Sequence, residues 1–337
     1  MFEGKKILIT GGTGSLGQAL TKRILAQNPA QIRIFSRNEF KQISMESSFS
    51  DDRLRFLIGD IRDLGRLIRA TEDVDFVFHA AALKHVDKIE YNPFEAVLTN
   101  VSGTQNVIDA CLHNNVEKAV CIGTDKAVSP LNTYGATKLL MEKLFTSAIH
   151  YSNPKKHPTK FTAVRYGNVF GSSGSVVPKF IKQIQAKEKI TITDPGMTRF
   201  SMTMDEALDF ILESTSIAKG TEVFIPKLKA YSINDLKNSL FELIGNTGEK
   251  IISLRPGEKM HEEMITEDDA INTIEFENFF TIIPNTEYLS WNREMLLKEC
   301  NQFKGKNCEY GFSYNSGRNK HFLTVEELRK LIEEQTD

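Results

Sequence analysis

Short, nearly continuous apolar runs alternate with amphipathic stretches through the first half of the chain. The runs at 7–10, 32–36, 55–58, 76–79, 119–123 and 161–165 carry few polar positions, as strands buried on both faces of a parallel sheet do. Between them, apolar spacings of three and four predict helices over 16–26, 64–70, 96–114 and 134–148. This alternation predicts an α/β fold built on a doubly wound parallel sheet. After Tyr166 the pattern changes, and loops rich in Gly, Ser and Pro (171–175, 194–196, 255–257) interrupt short helices. The expected organisation is a sheet domain over 1–166 and a smaller substrate-binding lobe over 167–337, with some lobe segments returning to the sheet. The lobe would close over the sheet's carboxyl edge, where ligands bind in such folds. Near the end, 324–334 reads as an amphipathic helix with Thr324 and Glu327 at capping-box spacing.

Composition narrows the function classes. A chain of 337 residues can bury a large core. Its formal net charge of -2 gives no basic field for nucleic acid or an anionic membrane. The four cysteines (Cys111, Cys121, Cys300, Cys308) show neither CxxC spacing nor a partnering His pattern, so reduced thiols and no metal site are expected. The N-terminal residues enter a strand directly, and no apolar run approaches the ~20 residues needed to span a bilayer. A soluble, cytoplasmic protein is expected.

Two segments carry the candidate chemistry. In the first, the apolar run 7–10 leads into Gly11, Gly14 and Gly17, with Thr13, Ser15 and Leu16 between them, and then a helix. A strand, glycine turn and helix start in that order present a pyrophosphate to a positive helix end, the Rossmann-like arrangement. The second predicted strand ends in Ser36-Arg37-Asn38, with Lys41 following. An NAD site usually places Asp or Glu there for the ribose 2′-hydroxyl, whereas a guanidinium pairs with a 2′-phosphate, so NADP is expected. Asp60 and Ile61 are placed to meet adenine, and Ala80, Ala81 and Ala82 let backbone approach the cofactor. In the second segment, Tyr134 and Lys138 lie four residues apart on one helix face, after Thr124-Asp125-Lys126. An ammonium beside the phenol is expected to lower a pKa that starts near ~10. Together the segments suggest proton and hydride transfer at a carbinol.

These motifs, with His79-Ala80-Ala81-Ala82, resemble the extended short-chain dehydrogenase/reductases. The segments 82–86 (Ala-Leu-Lys-His-Val), 166–169 (Tyr-Gly-Asn-Val), 197–200 (Met-Thr-Arg-Phe) and 255–259 (Arg-Pro-Gly-Glu-Lys) narrow the likeness. They are similar to the UDP-N-acetylglucosamine 4,6-dehydratases, above all the inverting enzymes of pseudaminic-acid biosynthesis. The resemblance spans essentially the whole chain and implies a homo-oligomer, dimer or hexamer, assembled through the helices at 96–114 and 134–148.

It also implies roles. Tyr134 would take the sugar 4-hydroxyl proton, Lys138 would hold the phenolate and the nicotinamide ribose, and Thr124 would bond O4. Asp125, kept protonated by desolvation, would assist departure of the 6-hydroxyl. Lys126, its amine lowered towards neutrality, would handle the C5 proton, though such a pair can exchange roles. Lys84, Asn100, Tyr134, Tyr166 and Asn168 join the expected cofactor set. Lys84, Asn168, Ser175, Val176, Lys179, Arg199, Met202, Arg255 and Glu258 form the expected substrate set, with Arg199 and Arg255 on the diphosphate and Glu258 on the ribose. His85 is open between a packed side chain and a site residue. Three positions depart from the inverting pattern: Ser173 for arginine, Asp87 for proline and Ser201 for tryptophan. They leave open inversion or retention at C5, or release of the 5,6-ene. Without the arginine, more escape of the ene is expected than a typical inverting enzyme shows, the alternative being that a cation such as Lys179 substitutes and the usual 4-keto-6-deoxy sugar forms. A UDP-sugar 4-epimerase and a non-enzymatic NADP-sensing regulator are the competing readings, and the Asp125-Lys126 pair counts against the epimerase.

Overall fold

In a computed structural model, which describes residues 1–153, 155–171, 175–254, 257–283 and 305–336, the apolar runs become the centre of one large sheet. Strands β1 (Lys6–Thr10), β2 (Gln31–Ser36), β3 (Leu54–Ile58), β4 (Phe76–His79), β5 (Lys118–Ile122) and β6 (Lys160–Val164) are all parallel, in the order β3-β2-β1-β4-β5-β6. The order reverses between β1 and β4, and the crevice beyond their carboxyl ends is where such sheets take ligands. Connecting helices are α1 (Ser15–Leu25), α2 (Glu39–Phe49), α3 (Leu64–Thr71), α4 (Val86–Tyr91), α5 (Pro93–Ala96), α6 (Gly103–His113) and α7 (Thr133–Ser147). The stretch expected as one helix over 96–114 contains a π-helical turn at Val97–Ser102. Asn100, inside that turn, accepts the Leu83 N–H at 2.8 Å and donates to the Leu83 carbonyl at 3.1 Å. It also donates to Thr137 Oγ1 at 3.0 Å. The widened turn thus aims one amide at the loop after β4 and at α7, a use of π-turns that a helical period does not reveal.

Beyond Tyr166 the chain contributes to two bodies of structure. It forms β7 (Asn168–Val169), α8 (Val176–Gln185), β8 (Ile190–Ile192), β9 (Thr198–Met202), α9 (Met204–Ile217), β10 (Val223–Pro226), β11 (Lys229–Ser232), α10 (Ile233–Ile244), β12 (Glu249–Ile251), β13 (Glu263–Ile265) and α11 (Glu267–Ala270). Strands β14 (Thr273–Glu275), β15 (Phe279–Ile282), β16 (Lys306–Asn307) and β17 (Tyr314–Asn315) follow, then helix α12 (Val325–Thr336). Of these, β10 extends the large sheet parallel to β6, and β15, β14 and β16 continue it antiparallel. Helices α8, α10 and α12 with β8 pack on a second core of Phe170, Phe180, Ile184, Leu236, Leu240, Leu328 and Ile332, whereas α9 and the apolar residues of β9, β13 and β17 join the core of the large sheet. The capping box at α12 forms as expected: Glu327 N–H donates to Thr324 Oγ1 at 3.2 Å and Thr324 N–H to Glu327 Oε2 at 2.9 Å.

Arg165 ties α7 to segments from the second half of the chain. It is 2% exposed and donates through both Nε and a terminal nitrogen to the Glu142 carboxylate on α7, at 3.0 and 2.5 Å. The other terminal nitrogen donates to the Met264 carbonyl on β13 at 2.6 Å and to Asp269 on α11 at 3.2 Å. A buried guanidinium is tolerable only when so fully paired, and here the pairing fixes α7 against β13 and α11. Among the described residues no helix is long and apolar enough to cross a membrane.

Candidate active site

A cleft of about 780 Å³ runs along the carboxyl ends of the strands, lined by Gly11, Thr13, Gly14, Ser15, Leu16 and Gly17 at one end and by Thr124, Lys126, Tyr134 and Lys138 at the other. Gly11 has φ +70°, and a Cβ there would lie 2.8 Å from the Ala81 backbone, so β1 and β4 approach only because it has none. A Cβ on Gly17 would lie 2.5 Å from Gly12, which explains the glycine where α1 packs on the turn. The N-terminus of α1 has no side-chain cap and no acid in its first turn. Its free N–H groups and dipole face the cleft, as a bound pyrophosphate requires. The site therefore fits a dinucleotide. Ser36, Arg37, Lys41, Asp60, Ile61, Ala80, Ala81, Ala82, Lys84, Tyr166 and Asn168 also line this cleft. Arg37 keeps its side chain 53% exposed, with Asp60 3.8 Å away. Arg62, absent from the sequence reading, takes the Asp60 carboxylate at 2.9 and 2.7 Å.

A second cleft of about 720 Å³ shares Lys84, His85, Lys126, Asn168 and Ser175 with the first and continues into the lobe. Val176, Lys179, Arg199 and Glu258 line it, with Asp87 and Lys259. His85 is exposed and borders both clefts. Ser175 stands at the N-cap of α8 without making a side-chain cap, and its buried hydroxyl has no hydrogen-bond partner. Arg199 is 8% exposed, donates to the Thr198 carbonyl at 2.7 Å, and lies 3.8 Å from Glu258.

Where the clefts meet, the backbone hands over the reactive groups in sequence. Gly123 N–H donates to the Val164 carbonyl and Asp125 N–H to the Tyr166 carbonyl, at 2.7 and 3.0 Å. This holds a 3₁₀ turn, Asp125–Ala127, over the end of β6. Thr124 Oγ1 donates to Asp125 Oδ1 at 2.8 Å, and Lys126 Nζ donates to the same oxygen at 3.1 Å and to Asn168 Oδ1 at 3.1 Å. Opposite stands α7, whose Asn132 cap accepts the Gly135 N–H at 2.8 Å and reaches the lobe through the Gly257 carbonyl at 3.3 Å. Tyr134 and Lys138 are 9% and 4% exposed, and Lys138 Nζ donates to the Ile122 carbonyl at 2.8 Å.

The electrostatics correct two expectations. Burial dominates at Tyr134 and holds its phenol above its ordinary value. The cation that pulls it down is Lys126, not the Lys138 one helical turn on, and the Thr124 hydroxyl assists. Lys126 is not lowered towards neutrality. Burial alone would lower it, but Asp125, Glu262 and Tyr134 together hold its ammonium above the usual lysine range. Lys138 is the amine that burial lowers, against Cys121 and Glu142.

Three expected site residues do not line the clefts. Asn100 is buried beneath the first cleft in the brace already described. Met202 is 2% exposed in the core, because the alternation of β9 sends Arg199 and Met202 to different surroundings. Asp125 is fully buried behind Thr124 and Lys126, and its Oδ2 has no hydrogen-bond partner. Arg255 and Ser173 lie outside the described residues, as does Cys300, while Ser201 is buried in β9 opposite Lys229. Glu262 was missed altogether. It borders the second cleft, 5% exposed, 3.7 Å from Lys126 and 3.5 Å from Arg199.

Comparison with known proteins agrees with this architecture. Residues 7–284 match the family model described as polysaccharide biosynthesis protein. A Campylobacter jejuni protein named UDP-N-acetylglucosamine 4,6-dehydratase (inverting) is 46% identical, with 98% of each chain covered. A Rickettsia akari protein named UDP-glucose 4-epimerase is 37% identical over 98% of this chain and 96% of its own. The crystal structure of Pen from Bacillus thuringiensis superposes with a TM-score of 0.87 at 42% identity, covering 99% of each chain. The chain belongs to the polysaccharide biosynthesis protein family, within the extended short-chain dehydrogenase/reductases.

Proposed function

We propose that this protein is a hydro-lyase, an NADP-dependent UDP-N-acetylglucosamine 4,6-dehydratase that supplies a 4-keto-6-deoxy sugar, with inversion at C5, to the synthesis of a nonulosonate glycan. The observation that carries the reading is the ion pair of the buried Asp125 with the half-buried Lys126, next to Thr124 and Tyr134. Oxidation at C4 alone needs a phenol, a lysine and a hydroxyl. A carboxylate and an ammonium in direct contact add the acid–base capacity that elimination of the 6-hydroxyl requires. The dehydratase relative at 46% identity supports the same reading.

The mechanism follows from the residues. NADP, when bound, supplies hydride acceptance from C4 and hydride return at C6. Tyr134 removes the 4-hydroxyl proton, Thr124 holds O4, and Lys138, anchored on the Ile122 carbonyl, binds the nicotinamide ribose. The ketone then acidifies the C5 proton. Asp125 and Lys126 share the removal of that proton and the protonation of the departing 6-hydroxyl, and Lys126, held charged, is equipped for the second task. Arg199 and Lys179, with the α8 N-terminus and Ser175, receive the diphosphate, and Glu258 the uridine ribose.

The epimerase reading is favoured by the Rickettsia akari relative. Incubation with UDP-N-acetylglucosamine separates the two. The dehydratase product loses 18 Da on a mass spectrum and, in deuterated water, shows a C6 methyl with deuterium at C5. An unchanged mass with altered C4 stereochemistry would establish the epimerase instead, and a vinyl signal at C6 would mean that the ene is released.

Arg37 is assigned to the 2′-phosphate of NADP. Its guanidinium stands at the end of β2 with Lys41 nearby and no acid in the place of a ribose clamp. Arg37→Asp is expected to weaken NADP binding by about 1–2 kcal/mol, roughly five- to thirtyfold, and to leave NAD binding equal or better. Titration calorimetry with both cofactors checks this, and retained NADP preference would make Arg37 a surface charge.

We also assign homo-oligomeric assembly through α6 and α7. Leu140 on α7 is 48% exposed, with partly exposed Leu144 one turn on, an apolar strip beyond the face that packs inward. Light scattering at micromolar concentration is expected to give a dimer or larger, and a monomer would defeat the assignment.

A further inference from the structure

Glu262 immediately precedes β13 and stands between two cations. Its Oε1 is 3.7 Å from Lys126 Nζ and 3.5 Å from Arg199 Nε. Its Oε2 is buried without a hydrogen-bond partner, although the residue borders the second cleft. The backbone on both sides is fixed by Ser316: Glu262 N–H donates to Ser316 Oγ at 2.8 Å, and Ser316 N–H donates to the Glu262 carbonyl at 2.8 Å. Ser316 is itself fully buried and tied to Thr198, the neighbour of Arg199. A carboxylate withdrawn from water to this extent is held in place by its cations, and an orphan oxygen at a polar cleft is a vacancy in its hydrogen-bond set that a substrate group can fill.

We infer that Glu262 is a positioning residue of the acid–base apparatus, one buried carboxylate that clasps the Lys126 amine and the Arg199 guanidinium. Proton chemistry at the sugar is thereby tied to the arginine that receives the nucleotide. The inference rests on the dehydratase reading for the roles of Lys126 and Arg199. Lys126 faces Asp125 on its own turn, Tyr134 on α7, Asn168 on β7, Tyr231 on β11, and Glu262 and Lys259 from the lobe. Of these, Asp125 and Glu262 are the carboxylates. Removing the second leaves Lys126 with one anion and with Lys259 nearby, so its ammonium loses a proton more readily.

The test measures Glu262→Gln and Glu262→Asp with UDP-N-acetylglucosamine across pH, following cofactor reduction and loss of water separately. In Glu262→Gln, cofactor reduction is expected to persist while water loss slows about tenfold. The limb of the rate profile that titrates Lys126 should move to lower pH by about one unit, and KM should rise as Arg199 loosens. Glu262→Asp keeps the charge and should return the limb to its wild-type position, which a residue that merely holds the fold together would not do. Unmoved limbs in Glu262→Gln, or limbs shifted equally in both variants, would overturn the inference. A wild type that epimerises instead of losing water would overturn the dehydratase reading. The limb of Glu262→Gln, measured on that turnover, would still judge the contact with Lys126 by itself.

Discussion

Replacing Tyr134 by Phe is expected to abolish oxidation at C4, with cofactor reduction on UDP-N-acetylglucosamine falling about 10²–10⁴-fold. The side chain is 9% exposed, so the substitution removes a hydroxyl and little packing. The folded state should persist, and circular dichroism should match the wild type. The wild-type reaction carries its own signature. Burial holds the phenol above its ordinary value in the free protein, so the phenolate is the minor form at neutral pH. Its fraction grows as pH rises towards that pKa, and the rate of C4 oxidation should climb about tenfold per pH unit before it flattens. Two positive charges set where it flattens: Lys126 and the oxidised nicotinamide of a bound cofactor, each favouring the anion. Single-turnover absorbance of the reduced cofactor reads both results. A Phe variant within about threefold of wild type would remove the phenol from the mechanism.

Lys126→Ala should divide the reaction at a different point. Water loss is expected to fall by about 10²–10⁴-fold, because the ammonium that Asp125 and Glu262 hold in place is gone. Reduced cofactor and a 4-keto sugar should accumulate. The variant also deprives Tyr134 of the cation that pulls its pKa down, so even the first step should be slower at neutral pH. Raising the pH should restore C4 oxidation and leave water loss impaired, since only the first depends on the phenolate. Rapid quench with mass spectrometry of the sugar distinguishes the 4-keto species from the dehydrated one. Wild-type dehydration in this variant would place the elimination elsewhere in the cleft.

The sequence by itself determined what depends on short stretches of chain. Doubly buried strands need continuous apolar runs, and the six runs before Tyr166 became six of the sheet's seven parallel strands. Gly11 and Gly17 were legible because no other residue fits the backbone approaches found there. The 3.6-residue period put Tyr134 and Lys138 on one face, and both border the cleft. What the tertiary structure decided involves partners distant in sequence. Which four strands from the second half join the sheet was not legible, because strands of two to four residues carry little periodic signal. Asn100 turned inward to brace the Leu83 loop, and Met202 entered the core. The expected neutral Lys126 became a held ammonium, and Lys126, rather than Lys138, became the cation acting on Tyr134. Glu262 gave no signal, since a His-Glu-Glu run reads as a solvated surface until the fold folds one of its carboxylates beneath two cations. Charge state follows from burial and from groups brought together across the whole chain, and neither is written in any single stretch of it.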